Sequence, residues 1–296
     1  MIDPHAVDWP RVTHCTFALN QRFTYAYSEP IVDLRQRLVV LPPSRHGGQL
    51  KHSGEIAVDG PPTGSLVAVR DAFGNTIHDI HVPRVEHTIT FNIHSQVRRS
   101  AASLHLEPCT AVSLERLKTP TPLTTPNASL RRAAARILKT GVRGRDLALA
   151  ISHRVHRHFQ YEHGVTSVST TAAEAWSLGR GVCQDYAHAM VALCRACGLP
   201  AKYVSGQLAG EGGTHAWVEV LLVEEGSSTA EILALDPTLD RVVDLRYLTV
   251  AVGRDYRDVM PTSGFYTGKP ANMLSHIRVL EVISVRMQSQ RHRATA

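Results

Sequence analysis

Residues 179–186 read Gly179-Arg180-Gly181-Val182-Cys183-Gln184-Asp185-Tyr186, a glycine-bearing turn that runs into the start of a helix. From there Tyr186, Met190, Leu193, Cys194 and Cys197 form an apolar stripe, and Gly198 followed by Pro200 marks the end. A cysteine in the first turn of a helix meets unpaired backbone N–H groups and the positive end of the helix dipole. Both stabilise a thiolate. The same N–H groups can receive the oxyanion of a tetrahedral intermediate. A buried structural cysteine is the competing reading, since free cysteines are among the most buried residues.

Downstream the pattern changes to strands, at Lys202 to Leu208, His215 to Leu222 and Ile232 to Asp236. Alternation puts His215, Trp217 and Glu219 on one face of the second strand. His215 follows the loop Gly210-Glu211-Gly212-Gly213, and loops carried on a rigid scaffold are common homes for catalysis. With 17 histidines in the chain, this position alone is weak evidence. Asp236 ends an apolar strand, where an unpaired carboxylate is costly to bury. A turn centred between Glu225 and Gly226 would set Asp236 opposite His215. Together the three residues form a set in which Cys183 attacks, His215 moves the proton and Asp236 fixes the imidazole.

Upstream, residues 129–138 and 145–159 carry helical patterning, and Thr171-Ala172-Ala173-Glu174 fits a capping box on a short helix closed by Gly179. Before these, Pro120, Pro122 and Pro126 predict an extended, semi-rigid linker over 119–128. The first third reads as short strands within 15–27, 31–41, 54–58, 66–70, 77–82 and 87–93. Turns such as Asp59-Gly60-Pro61-Pro62 and Asp71-Ala72-Phe73-Gly74-Asn75 separate them. The expected fold class is therefore α+β. It comprises a β-rich antiparallel sandwich or barrel over 1–118, the linker, an α+β catalytic domain over 129–285, and a polar basic tail over 286–296.

The net charge of +6 is spread along the chain, with no basic arm suited to nucleic acid. The longest apolar runs, such as Leu38-Val39-Val40-Leu41, are too short to span a bilayer, and the N-terminus does not read as a leader. Five cysteines at irregular spacings argue against a disulfide scaffold, so a cytoplasmic setting is expected. Cys194-Arg195-Ala196-Cys197 lacks a second ligand pair for zinc and falls on the core stripe of its helix. His153 and His156 share a helical face without a complete ligand set, and a solvated basic face is the better reading. His188 reads as structural. Tyr161 and Trp176 are read as cleft lining or core, and Gln184 as a weaker oxyanion donor than the backbone.

The joint set resembles the transglutaminase-like superfamily, a relative of the papain-like cysteine proteases. More closely, it looks like the bacterial two-domain proteins with a β-rich N-terminal domain. The segments carrying the resemblance are Gly181-Val182-Cys183-Gln184-Asp185-Tyr186-Ala187-His188, Tyr203-Val204-Ser205-Gly206, His215-Ala216-Trp217-Val218-Glu219-Val220 and Leu235-Asp236-Pro237-Thr238. Residues 252–256, 264–268 and 71–75 add to it. Glu231-Ile232-Leu233 stands where the family often has a glycine-tryptophan pair, and Leu239 replaces a frequent asparagine. Neither departure touches the triad. The resemblance implies thiol-dependent acyl transfer at an amide through a Cys183 thioester, with peptidase or amidase hydrolysis favoured. Protein cross-linking and a catalytically silent scaffold are the alternatives. The expected partner is a protein or peptide substrate, with neither nucleic acid nor membrane. No cofactor and no metal are expected. The calcium requirement of animal transglutaminases does not carry over, because no clustered carboxylate loop is visible.

Overall fold

Alternating burial along the first hundred residues builds a two-sheet sandwich. A computed structural model describes residues 2–101 and 105–288. Its first strands are β1 (Val12–Tyr27), β2 (Ile31–Leu38), β3 (Arg45–His46), β4 (Gln49–Asp59), β5 (Ser65–Arg70), β6 (Thr76–Val85) and β7 (Thr88–Ser100). Ile89, Phe91, Ile93 and Val97 of β7 are buried in strict alternation. Ile89, Phe91 and Ile93 face Leu34 and Leu38 of β2 and Ile80 and Val82 of β6, so the two sheets close on one apolar layer, while Val97 packs with Phe17 and Leu248.

The second half follows with β8 (Leu106–Pro108), α1 (Ala111–Lys118), α2 (Ala128–Leu138), α3 (Gly144–His156), β9 (Gln160–Tyr161), α4 (Ala172–Leu178) and β10 (Arg180–Gly181). Next come α5 (Cys183–Ala196), β11 (Ala201–Leu208), β12 (His215–Val223), β13 (Thr229–Asp236), β14 (Arg241–Val242) and β15 (Tyr247–Gly253). The sheet order is β14-β13-β12-β11-β15, with β8 added on β13. Ala187, Val191 and Cys194 of α5 lie in one core cluster with Val218 and Val220 of β12 and Leu233 of β13. This helix is buried almost all round, which explains its run of alanines. Burial pushes the Cys194 thiol up, and both sulfurs of the Cys-x-x-Cys pair pack in or against that core.

The chain then returns to the sandwich as β16 (Thr262–Thr267) and β17 (Asn272–Met287). β17 pairs along the whole of β1 and β16 pairs with β2, giving sheet orders β17-β1-β7-β4-β3 and β16-β2-β6-β5. The sequence reading placed 262–285 in the catalytic domain and began a frayed tail at residue 286. Strand pairing instead puts these residues in the sandwich as far as Met287, while residues 289–296 of that tail lie outside the described residues. Long-range pairing of this kind leaves no local signal, because the partner strand lies more than 200 residues away in sequence.

The segment 119–128 also differs from a spacer. Thr121, Leu123 and Thr124 are buried, and the buried guanidinium of Arg195 donates to Thr124 Oγ1 (2.5 Å) and to the carbonyls of Leu117 (2.9 Å) and Arg254 (2.8 Å). The arginine inside the Cys-x-x-Cys stretch thus ties the connector to the core. The helix α1, also unanticipated, is opened by a reciprocal Thr110–Ser113 cap.

Sandwich and core meet at β15. An edge strand exposes unpaired backbone groups, and here side-chain amides cover them. Gln49 bonds both the carbonyl (2.8 Å) and the N–H (3.0 Å) of Thr249, and Asn75 does the same for Val252 (2.6 and 2.9 Å). Within the sheet itself, Gly206 is closely enclosed by its two neighbouring strands. A Cβ on Gly206 of β11 would overlap the Leu248 carbonyl on one side and the Trp217 indole on the other. Gly206→Ala is expected to lower the unfolding free energy by about 3 kcal/mol through overpacking. Gly212→Ala, in open space, should stay within about 0.5 kcal/mol of the parent. Urea denaturation of both variants checks this, and equal midpoints would contradict the packing account.

Candidate active site

The start of α5 is fixed by a side chain of its own first turn. Asp185 Oδ2 accepts the N–H of Val182 (2.8 Å) and the Thr166 hydroxyl (2.7 Å), which holds the turn before Cys183 in place. Gly181 stands where any Cβ would strike the Asp185 carboxylate. The Asp185 N–H is itself taken by the Val182 carbonyl (2.8 Å). The N–H groups of Cys183 and Gln184 remain as first-turn donors without an intrahelical acceptor. The Cys183 side chain is half-buried, with its sulfur 3.9 Å from the Thr214 carbonyl, next to His215.

His215 opens β12 and Asp236 closes β13. His215 Nε2 donates to Asp236 Oδ2 at 2.7 Å. Asp236 is fully buried and receives three more donors: the Tyr247 hydroxyl on Oδ2 (2.6 Å) and the N–H groups of Thr238 (2.8 Å) and Leu239 (3.2 Å) on Oδ1. Burial alone would raise its pKa, but His215, Tyr247 and the Thr238 N–H overcome it and hold the carboxyl below the ordinary value. For His215, burial works to lower the pKa. The Asp236 carboxylate and the Cys183 thiol outweigh it and raise the pKa to about 9. With Nε2 committed to Asp236, Nδ1 is the nitrogen left for the thiol and the substrate.

The expected register between the two strands is off by two residues. β12 and β13 pair Val218 with Leu235, not His215 with Asp236. An even shift keeps every side chain on its face, so His215 still reaches Asp236, along the diagonal. Cys183, His215 and the loop 212–214 line one side of a cleft of about 620 Å³, and Tyr161 lies in the same lining. The far wall comes from the sandwich, where Phe23, Leu274, His276 and Arg278 face the cleft. Arg278 lies over the Phe23 ring, 4.9 Å from its centroid.

Residues 131–231 match the model of the transglutaminase-like superfamily, and residues 17–98 match that of the bacterial transglutaminase-like N-terminal region. An uncharacterised protein of Mycobacterium leprae is 30% identical over 218 residues, covering 67% of this chain and 75% of the relative. The chain belongs to the transglutaminase-like superfamily. An uncharacterised protein of Mycobacterium tuberculosis is 40% identical over 146 residues, 46% of this chain and 45% of its own. The match thus spans about half the length of that relative. A provisionally assigned cysteine protease from Cytophaga hutchinsonii shares the fold, with a TM-score of 0.73, 20% identity and coverage of 94% of both chains.

Several residues around Cys183, His215 and Asp236 carry little signal in the sequence. Tyr247 is one: its hydroxyl bonds Asp236 while accepting from Arg241 Nε (2.8 Å), and it stands 11 positions beyond the aspartate. His153 is exposed, as expected of a solvated face, and His156 is half-buried. They dock on the turn after Asp236, His153 on the Asp240 carboxylate (2.7 Å) and His156 on the Thr238 carbonyl (3.1 Å). His188 is fully buried and accepts the Tyr256 N–H (3.1 Å), a structural role. Trp176 is buried and stacks on His158. Gln184 donates to the Ser167 carbonyl (3.3 Å), away from an oxyanion role. Among the described residues, no helix is long and apolar enough to cross a membrane.

The raised proton affinity of His215 makes stability depend on pH. The folded protein holds this proton more tightly than the unfolded chain, whose histidine titrates near 6.5. The stabilisation is complete below about pH 6.5 and lost as pH rises through about 9. The shift corresponds to about 3.5 kcal/mol at most, at about 1.4 kcal/mol per pKa unit. The stability advantage of wild type over His215→Gln should therefore shrink across that window in urea titrations. A constant difference from pH 6 to pH 10 would show that the imidazolium is not held as described.

Proposed function

We propose that this protein is a thiol-dependent enzyme acting at an amide of a protein or peptide, with hydrolysis as its outcome. The observation that carries the reading is the Cys183 thiol in the first turn of α5, beside an imidazole whose other nitrogen is held by buried Asp236. The Cys183 thiolate adds to the amide carbonyl, and the N–H groups of Cys183 and Gln184 are the donors available to the oxyanion. The C–N bond breaks as His215 gives its Nδ1 proton to the departing amine, leaving a Cys183 thioester. Water, deprotonated by His215, then adds to the thioester, and the acid leaves as the thiol recovers its proton. Asp236 keeps the imidazole in the required tautomer throughout.

Hydrolysis is favoured over amine transfer because the mouth of the cleft is open. Tyr161 is 47% exposed and Thr214, beside the thiol, is exposed as well, so water reaches the thioester. Transfer needs a site that excludes water and admits an amine. The superfamily membership supports the chemistry without choosing the substrate. Five unpaired cysteines suit a reducing cytoplasm.

Intact-mass measurement with short activated glutamine or peptide esters tests the reading. A covalent adduct on Cys183 should form and decay in water, with no amine product when a lysine-like amine is added at millimolar concentration. Cys183→Ala should form no adduct, and Asp236→Asn should slow turnover by about 10³-fold or more, as in triads where the histidine tautomer is lost. An adduct captured mainly by the amine would favour cross-linking instead. No adduct with any acyl donor, together with unchanged folding, would move the protein to the silent-scaffold class.

A further inference from the structure

Behind the catalytic strand lies a second cluster that the acyl-transfer chemistry does not use. Glu219 is on the same face of β12 as His215, four residues further along, and is 2% exposed. Its Oε1 accepts from His46 Nε2 of β3 at 2.6 Å, while Oε2 is buried with no hydrogen-bond partner. His105, in the segment between β7 and β8, sets its ring edge-on to His46, with centroids 4.9 Å apart. One ligand atom from each of His46, His105 and Glu219 lies within 4.8 Å of the other two. The three come from three separate stretches of chain, two from the sandwich side and one from the catalytic sheet. A cavity of about 480 Å³ opens onto them.

We propose that His46, His105 and Glu219 form a binding site for a divalent transition-metal ion of the zinc type. Two imidazoles and one carboxylate are a ligand set that zinc accepts, with a fourth position left for water. Ligands at about 2.0–2.2 Å in a tetrahedron stand roughly 3.3 Å apart. His46 and Glu219 must therefore separate by several tenths of an ångström as the ion replaces the proton between them. Glu107 already steadies the His105 ring, with Oε1 3.1 Å from Nε2, in the manner of the carboxylates that orient metal-bound histidines. The unpartnered Glu219 oxygen gains a partner.

Two cations compete. Lys202 is ion-paired with Glu107 and stands 3.9 Å from Glu219 Oε2, and half-buried Arg99 adds positive charge while donating to the Tyr247 carbonyl. Glu107 and Glu219 together balance these two, so the ion adds to a neutral cluster rather than a positive one. Occupied, the site would clip β3 and the β7–β8 segment onto the strand that begins with His215. It is a structural role distinct from the triad.

The experiment uses the full chain carrying Cys183→Ser, so that zinc cannot sit on the catalytic thiol. Zinc chloride is added at one equivalent, the protein is passed through a desalting column, and retained metal is counted by mass spectrometry. Retention close to one zinc per chain is expected, with a raised melting temperature. Cobalt in its place should give the intense visible bands of a four-coordinate ion. His46→Ala and His105→Ala should each lower the affinity at least tenfold and abolish the thermal shift. Should His46→Ala fail to fold by circular dichroism, His105→Gln, at a more exposed position, decides the question. No retained zinc in the Cys183→Ser parent would overturn the proposal. Equal retention in the histidine variants would do the same, and would mean adventitious binding at surface histidines.

Discussion

A buried carboxylate with four donors is the constraint on which this molecule turns. Asp236 has no access to water, so the ends of β13 and β12, the turn after Asp236 and the Tyr247 side chain must all converge on it. Removing a donor would leave a buried charge under-satisfied, a costly state in a low-dielectric interior. The same convergence aims the imidazole. His215 cannot rotate without breaking the Asp236 bond, and its free nitrogen then faces the start of α5. Burial of the carboxylate and orientation of the imidazole are thus set by one set of contacts, which ties the position of His215 to the packing of the whole sheet.

The sandwich is more than an appendage to this core. Its amides from Gln49 and Asn75 complete the hydrogen bonding of β15, which a free edge would leave to solvent or to another chain. Its last strand, β17, carries Leu274, His276 and Arg278 to the far wall of the cleft. The cleft beside Cys183 is therefore walled partly by residues far from it in sequence. That wall is aromatic and basic, in contrast to the glycine-rich loop opposite.

Much of this was legible in the sequence. Local signals sufficed for α5, for the α4 capping box and for the face shared by His215, Trp217 and Glu219, because helix caps and strand alternation are short-range. That Cys183, His215 and Asp236 come together could be anticipated because helix start, strand start and strand end each have a local signature. What escaped was long-range. The return of β16 and β17 to the first sheets, and the diagonal rather than direct facing of His215 and Asp236, depend on pairing that no window contains. The docking of Arg195 on the 119–128 segment escaped for a related reason, since proline spacing reports stiffness and not what the segment lies against. Tyr247 and the His46–His105–Glu219 cluster show the same limit: each residue is ordinary until the fold places it beside the others.

The central claim is that Cys183 is an activated nucleophile coupled to His215, and its reactivity is the most direct reading of that claim. Wild type and His215→Ala would be treated briefly with iodoacetamide across a pH series and the label located by mass spectrometry. The account predicts rapid single-site labelling of Cys183 well below the ordinary thiol pKa of about 8.5, lost or strongly slowed in His215→Ala. Labelling of Cys183 no faster than a free thiol at the same pH, with no effect of His215→Ala, would contradict it.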